Sequence, residues 1–214
     1  MTSLLRMMRL KDQRLSLLPL ILFLIVTALT PLARGEQQGS PGLLLGGSFE
    51  RTPIQRFLPG SKKTILFPAR VGRLGEITPL SETPGLGSHS WESFLKGARE
   101  RSGLLLATLD PVLVRDSRGI VQMAVIHTDD PMTASCVLCP GFLPRFSAIF
   151  GSELIIAIPV RNKIYIFPKL ANRIPDTTQT IRDDYLISPM PVSTELFELS
   201  KKGLRAVGDL DPKG

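Results

Sequence analysis

Cysteine and histidine are both scarce in this chain. Its 214 residues include two cysteines and two histidines, too few for a disulfide framework and without the spacing of a zinc site. Two common enzyme signatures are also missing: there is no G-x-S-x-G elbow, and the run Gly60 to Thr64 (GSKKT) lacks the glycine and the strand that precede a phosphate loop. We therefore expect no metal and no cofactor, and the lack of a catalytic constellation favours a non-enzymatic protein.

The two cysteines form the sharpest chemical motif, Cys136-Val137-Leu138-Cys139. A C-x-x-C at the start of a helix is typical of a redox pair, because the helix N-terminus lowers the pKa of the thiols. The tryptophan and Gly-Pro of the usual oxidoreductase site are missing. An extracytoplasmic thiol-disulfide protein is therefore the alternative function, and a passive local disulfide or two buried thiols also remain open.

The positive charge of the chain is concentrated at its N-terminus. The net charge is +7, and five of the 26 basic residues but one of the 19 acidic residues precede residue 36. The uncharged apolar run Leu15–Leu32 follows, intermediate in length between a signal-peptide core and a spanning helix. Ala33-Arg34-Gly35 offers a signal-peptidase site. Residues 1–35 are thus predicted to be a signal peptide or membrane anchor, which contacts the membrane through residues 15–32 if uncleaved.

The same N-terminal segment predicts the location of the rest of the chain. The positive-inside rule places residues 36–214 outside the cytoplasm. The protein is therefore expected to be extracytoplasmic, either membrane-anchored or secreted into the periplasm or medium, where nucleic acid is not a partner.

Glycine and proline dominate the next segment. Residues 35–88 contain ten glycines and six prolines, a composition close to low complexity. We predict a linker over residues 36–89, with a mobile tether at 36–51. Thr64–Val71 is predicted to form a strand, and Pro68 indicates that this strand lies at a sheet edge.

The domain predicted for residues 90–208 is organised around the apolar stretch 153–168, ELIIAIPVRNKIYIFP. Leu154, Ile156 and Ile158 point to one side of an extended chain, and Ile155 and Ala157 to the other. A strand that is apolar on both faces belongs in the middle of a covered sheet. We therefore predict a central hairpin, whose first strand ends at Pro159 and whose turn at Arg161-Asn162 uses the tolerance of Asn for positive φ.

Further hairpins and short helices are predicted around this centre. The hairpins pair residues 111–115 with 120–127 and 195–199 with 204–208, with Gly119 and Gly203 in their turns. One helix starts with Ser90 as its cap and stops at Gly103. A second covers Phe142–Phe150 and buries its Phe142, Phe146, Ile149 and Phe150 face. The fold class is α+β, an antiparallel sheet with short packing helices, and residues 209–214 form a tail.

These pieces resemble a known family. The segments 110–119 (DPVLVRDSRG), 141–151 (GFLPRFSAIFG), 153–167 and 192–204 (VSTELFELSKKGL) are similar in order to the YtpQ-like family of uncharacterised bacterial proteins. The resemblance covers residues 90–208 and implies no established activity, cofactor or catalytic residue. Asn162 stands where an acid is expected beside the arginine, and the export segment departs from the family pattern.

A group of basic side chains offers a surface for binding: Arg161, Lys163, Lys169 and Arg173. On an exported domain, a basic rim of this kind suits anionic lipid or a cell-wall polymer. The sequence thus predicts an exported or membrane-anchored, non-enzymatic module that binds an unknown protein or envelope component.

Overall fold

Ten strands and three α-helices make up the part of the chain that the computed structural model describes, residues 39–81, 88–171 and 174–211. The strands form two antiparallel sheets, which confirms the predicted α+β class. All the described residues belong to one compact unit. The predicted N-terminal hydrophobic helix and cleavage site lie outside the described residues.

The four-stranded sheet comes first in the chain and the six-stranded sheet second. The four-stranded sheet contains β1 (Ser40–Gly47), β2 (Arg56–Phe57), β3 (Thr64–Val71) and β4 (Ile77–Pro79). The six-stranded sheet contains β5 (Val112–Arg115), β6 (Val121–His127), β7 (Leu154–Val160), β8 (Lys163–Pro168), β9 (Glu195–Ser200) and β10 (Gly203–Asp209). The helices are α1 (Ser88–Thr108), α2 (Phe142–Phe150) and α3 (Ile174–Ile187), with 3₁₀ helices at Ser48–Glu50 and Thr133–Leu138.

The predicted central hairpin is confirmed. Strands β7 and β8 are the two middle strands of the six-stranded sheet, whose order is β10-β9-β7-β8-β6-β5. Every residue of β7 is buried. Leu154, Ile156 and Ile158 pack into the main core on one face, and Ile155 and Ala157 pack into a smaller core on the other. The alternation in the sequence therefore predicted the two faces, because side chains of a strand alternate strictly.

Two details of this hairpin were predicted wrongly. Pro159 does not end the first strand, which continues to Val160 with an irregular register between Ala157 and Val160. The carbonyl of Pro159 accepts a hydrogen bond of 2.7 Å from the backbone N–H of Val192, so the strand is held there by a neighbouring segment. Asn162 does not adopt a positive φ; within the described ranges, Arg51 is the only non-glycine residue that does.

The flanking hairpins are confirmed. β5 pairs with β6 and β9 pairs with β10, both antiparallel. Gly119 has φ +83° and Gly203 has φ +104°, the left-handed conformations that their turns require.

The predicted tether is wrong over the residues that the structure describes. β1 pairs with β3 along its full length, and Leu44 and Leu45 are completely buried. The glycines of this segment permit close packing: a Cβ atom at Gly46 would lie 2.8 Å from a ring carbon of Phe67. Gly46 thus allows the ring of Phe67 to pack closely against the strand. A glycine-rich composition alone does not distinguish such close packing from a mobile linker.

The predicted strand Thr64–Val71 is confirmed, but its predicted edge position is wrong. β3 pairs with β1 on one side and with both β2 and β4 on the other. Pro68 falls between the stretches of β3 that pair with β2 and with β4, so its missing N–H interrupts neither pairing.

The helices differ from prediction in their ends and exposed sides. Helix α1 begins at Ser88 and continues beyond Gly103 to Thr108, because Leu105 and Leu106 extend its packing against the main core. Helix α2 has the predicted bounds, but Ile149 is exposed. Helix α3 (Ile174–Ile187) lies in a stretch for which the sequence analysis predicted no element. None of the helices within the described ranges combines the length and the apolar composition that a bilayer crossing requires.

The six-stranded sheet is covered unequally on its two faces. One face packs against α1, α2, the 3₁₀ helix Thr133–Leu138 and residues of the four-stranded sheet, and it forms the main core. The other face packs against α3 through a smaller core that includes Tyr165, Phe167 and Ile181. A single helix is about 10 Å wide and neighbouring strands are about 4.8 Å apart, so one helix spans roughly two strands. On the α3 face, Val112 and Val114 of β5 lie beyond this smaller core and are exposed among the described residues.

Candidate functional site

The two cysteines are buried free thiols. Cys136 lies in the 3₁₀ helix Thr133–Leu138 and Cys139 directly follows it, and both side chains are buried. Burial raises the pKa of Cys136 to about 12, and burial also raises the pKa of Cys139 despite a hydrogen bond from Ser102. A redox pair needs an accessible thiol with a lowered pKa. This environment does the opposite, and it disfavours the redox alternative.

Arg161 serves as a link between the two sheets. Its side chain is buried, its Nε donates a hydrogen bond of 3.2 Å to the carbonyl of Leu45, and its guanidinium forms an ion pair with Glu50. The guanidinium also lies 5.3 Å from the ring centroid of Phe67. These contacts on the four-stranded sheet leave Arg161 no exposed charge for a ligand.

The lysines of the predicted basic group are paired with acids elsewhere. Lys163 lies 2.8 Å from Asp184 of α3, whose carboxylate also accepts a hydrogen bond from the hydroxyl of Tyr165. Burial and the contact with Asp184 raise the pKa of Tyr165. Lys169 lies between Glu153 and Glu198, at 3.0 Å and 3.4 Å. Arg173 lies outside the described residues, and the structure does not bring the other three side chains together into one basic surface.

A buried carboxylate that the sequence did not indicate organises one edge of the six-stranded sheet. Glu195, at the start of β9, accepts hydrogen bonds from the loop between β2 and β3 and from a neighbouring serine: the hydroxyls of Ser61, Thr64 and Ser193 and the backbone N–H groups of Lys62 and Lys63. We call these six residues the Glu195 cluster. Burial alone would raise the pKa of Glu195, but the hydrogen bonds outweigh it and the pKa is lowered.

The loop that carries this cluster also covers the outer side of β10. The backbone N–H of Ala206 donates a hydrogen bond of 2.8 Å to the carbonyl of Pro59. Lys63 lies 2.8 Å from Asp209, and this contact raises the pKa of Lys63. Burial alone would raise the pKa of Asp209, but hydrogen bonds from Lys63, the backbone of Asp211 and Thr194 outweigh it and lower the pKa. We call β10 the covered edge, because this loop contacts it at Ala206 and Asp209.

The opposite edge, β5, is open. No described residue forms a further strand beside β5, which is the last strand of the sheet order. Val112 is 67% exposed and Val114 is 37% exposed. Their register partners on β6 are Val125 and Met123, which are half-buried and pack against the smaller core on the α3 face. These four side chains (Val112, Val114, Met123 and Val125) share one face, and we call them the apolar strip.

The apolar strip lies beside α3 and differs from the surface on the other side of that helix. Thr177 of α3 contacts the sulfur of Met123 at 3.8 Å, which fixes the inner border of the strip. On the β9 side, Glu198 pairs with Lys169 and Arg205 and gives an ion-paired surface that suits water. Among the described strands, none pairs with β5 on the side away from β6, so exposed valines and an unpaired strand edge lie side by side there.

The spacing within VLVR (112–115) and VQMAV (121–125) indicates that Val112 and Val114 share one face of a strand, because side chains two residues apart point the same way. Sequence reasoning missed the site because the position of β5 at the sheet edge depends on strand order, which no local pattern specifies. Within the described ranges, no three His, Cys, Asp or Glu side chains are grouped so that they could hold a metal ion.

Comparisons with known proteins add no further identification. No protein-family model, no curated protein and no solved structure matches this chain. The resemblance to the YtpQ-like family therefore stays a prediction.

Proposed function

We propose that this chain is a non-enzymatic binding module, exported or anchored in a membrane by residues 1–35, that holds a protein or envelope component on the apolar strip and the β5 edge. The open edge beside exposed Val112 and Val114 is the observation that carries the binding role. The basic N-terminus followed by the uncharged run Leu15–Leu32 supports the export role. Membership of the YtpQ-like family belongs to the same proposal and rests on the segments within residues 90–208.

The strip suits a protein partner for two physical reasons. Unpaired N–H and C=O groups of an edge strand can accept a further strand, which supplies backbone hydrogen bonds. The alternate valines then supply apolar contact area on one face, worth roughly 25 cal/mol for each Å² removed from water. Backbone pairing and side-chain burial thus act together at one edge.

Site-specific photo-cross-linking in the full-length chain tests the binding role. A photoreactive amino acid is placed at Val112 and, as a matched control, at Leu74, which is 91% exposed in the loop between β3 and β4. We expect a discrete adduct from position 112 that disappears when Val114→Lys is added, and no such adduct from position 74. Equal adducts at both positions, or an adduct indifferent to Val114→Lys, would overturn the proposal.

Export is tested separately by protease protection in cells that produce the full chain. Protease added outside should digest residues 36–214 when the outer barrier is opened and the cytoplasmic membrane is left intact. Recovery of the undigested full-length chain with the cytosolic fraction would refute export while leaving the binding surface to stand on the cross-linking result.

A further inference from the structure

We infer that the loop between β3 and β4 contacts the surface of the bilayer in which residues 15–32 anchor the chain. Leu74 enters the boundary between headgroups and acyl chains, and Arg70 and Arg73 lie against lipid phosphates. We call residues 72–76 the Leu74 loop. This inference rests on the proposed function, because it requires the anchored form of the protein, and it concerns a different surface from the β5 edge.

The backbone of the Leu74 loop holds its leucine outward. The N–H of Gly72 donates a hydrogen bond of 2.8 Å to the carbonyl of Glu76, and the N–H of Gly75 donates one of 3.3 Å to the carbonyl of Gly72. Gly75 has φ +85°, which favours glycine. The carboxylate of Glu76 accepts a hydrogen bond of 3.1 Å from the N–H of Leu74. Leu74 is 91% exposed on this hydrogen-bonded turn, so its exposure follows from the conformation of the loop.

The Leu74 loop lies where the chain enters the described domain. The guanidinium of Arg70 donates a hydrogen bond of 3.3 Å to the carbonyl of Gly39, the first described residue. Ser40 is the register partner of Val71, the last residue of β3. A Cβ atom at Gly39 would lie 3.1 Å from the backbone nitrogen of Gly72. The loop therefore begins directly beside the point at which the chain arrives from the N-terminal segment.

The sequence limits how far this entry point can lie from the bilayer. Six residues, 33–38, separate the uncharged apolar run Leu15–Leu32 from Gly39. A chain of that length spans at most about 25 Å when it is fully extended. In the anchored form, Gly39 and the loop beside it are therefore held close to the lipid headgroups.

The side chains of the loop suit a lipid surface better than a protein. Arg70 and Arg73 are exposed, and guanidinium groups bind phosphate oxygens through charge-assisted hydrogen bonds. One exposed leucine offers far less area than the roughly 1,200 Å² that a stable protein interface buries. A contact of this size is weak for a protein free in solution. The anchor makes it intramolecular and supplies the effective concentration that it needs.

Leu170 provides a matched control, because it is 90% exposed and lies at the other end of β8. A Cβ atom at Gly75 would lie 3.6 Å from Pro131, which follows β6. The end of β6 pairs with the start of β8, His127 with Lys163, whereas Leu170 follows the last residue of β8. Strand β8 has six residues, about 20 Å of strand. The two leucines are therefore equally exposed but far apart.

Fluorescence quenching by lipid tests the contact. The full-length chain is reconstituted in vesicles of phosphatidylcholine and phosphatidylglycerol, some of whose lipids carry a nitroxide near the headgroup. Leu74→Cys and Leu170→Cys are each labelled with the same environment-sensitive fluorophore, and the native thiols are buried. We expect the label at position 74 to shift to the blue and to be quenched by the nitroxide lipid. The label at position 170 should show neither change.

A second measurement keeps Leu74 in place. The fluorophore is attached at Thr78→Cys, an exposed position whose register partner is Arg70. Adding Leu74→Glu should lower the ratio of membrane-bound to free loop at least about tenfold, because burial of a leucine supplies that factor. Leu170→Glu should leave the quenching unchanged. Circular dichroism of each variant checks that it is folded.

The outcomes separate this inference from the proposed function. A chain that floats with the vesicles but shows no quenching at position 74, or equal quenching at position 170, would overturn the membrane contact and leave the anchor intact. A blue shift without lipid quenching would assign the loop to a protein partner and overturn it too. A chain that does not float would remove both the anchor and the contact. A photoreactive group at position 74 should label lipid and no protein, so this position remains a control for the β5 edge.

Discussion

The two edge strands of the six-stranded sheet, β10 and β5, differ in what lies beside their unpaired sides. At β10, the loop between β2 and β3 contacts the strand through Pro59 and Lys63, and the Glu195 cluster joins the same loop to the neighbouring strand β9. At β5, no described strand pairs on the side away from β6, and Val112 and Val114 are exposed beside Arg115. An unpaired strand edge invites association, and proteins usually block it. In the proposed function, the first edge stabilises the fold and the second binds the partner.

The largest expected effect on the free energy of unfolding comes from removing the buried carboxylate of Glu195. Glu195→Ala leaves two backbone N–H groups and the hydroxyls of Ser61 and Thr64 without their buried acceptor. We expect the free energy of unfolding to fall by about 3 kcal/mol, the cost of leaving such groups unsatisfied. Urea denaturation measures the change. Glu198→Ala on the same strand is the control, because the Glu198 ion pairs are at the surface; an equal loss in both variants would contradict the special role of Glu195.

The second largest effect is expected from acid, which should reduce the stabilisation that the carboxylates of Glu195 and Asp209 contribute. The folded-state pKa values of Glu195 and Asp209 are lowered below their ordinary values of 4.5 and 3.8. Their stabilisation is therefore complete above those ordinary values and is lost as pH falls through the lowered folded-state values. We expect the free energy of unfolding to decrease more steeply in the wild type than in Glu195→Gln as pH falls from about 5 to about 3. Parallel pH profiles of the two proteins would show that Glu195 is not responsible.

Amide hydrogen exchange should show the difference between the edges directly. The N–H of Ala206 donates a hydrogen bond to the carbonyl of Pro59, whereas no described strand pairs with the N–H groups of β5 that point away from β6. In dilute protein, we expect outward amides of β5 to exchange faster than that of Ala206. Equal protection of the amides at both edges would contradict the comparison.

The smallest expected effect on stability is at the open edge. Val114→Lys places a charge on a surface that is exposed in the monomer, so we expect the free energy of unfolding to change by less than about 0.5 kcal/mol. Thermal unfolding of the dilute protein measures this change. A large destabilisation would mean that Val114 supports the fold of the single chain, and the apolar strip would then need no partner.

The arrangement of side chains on the central strands was predictable because it depends on local periodicity. Leu154 to Ile158 alternate between two cores as their order in the sequence requires, and Gly119 and Gly203 occupy the turns predicted for them. The four-stranded sheet was missed because its glycines have the same composition as a linker. They act as sites of close packing only because Phe67 and Met132 lie against them, and those contacts are remote in the sequence.

The chemistry of the predicted site residues was decided by the same kind of remote contact. Arg161, Lys163 and Lys169 are close in sequence and suggest a common basic surface. Their partners, Glu50, Asp184 and Glu198, come from separate elements and neutralise each charge in a different place. Cys136 and Cys139 have the spacing of a redox pair, yet burial raises the pKa of the Cys136 thiol.

The sequence by itself determined which segments are apolar, how their side chains alternate and where the hairpin turns fall, because these properties depend on neighbours within a few residues. Only the tertiary structure decided which strand lies at an edge, which charge is buried and which valines remain in water. Strand order and long-range pairing depend on contacts between residues far apart in the chain, such as Glu195 with Ser61 and Arg161 with Glu50. No local pattern encodes those contacts, and both the covered edge and the open edge follow from them.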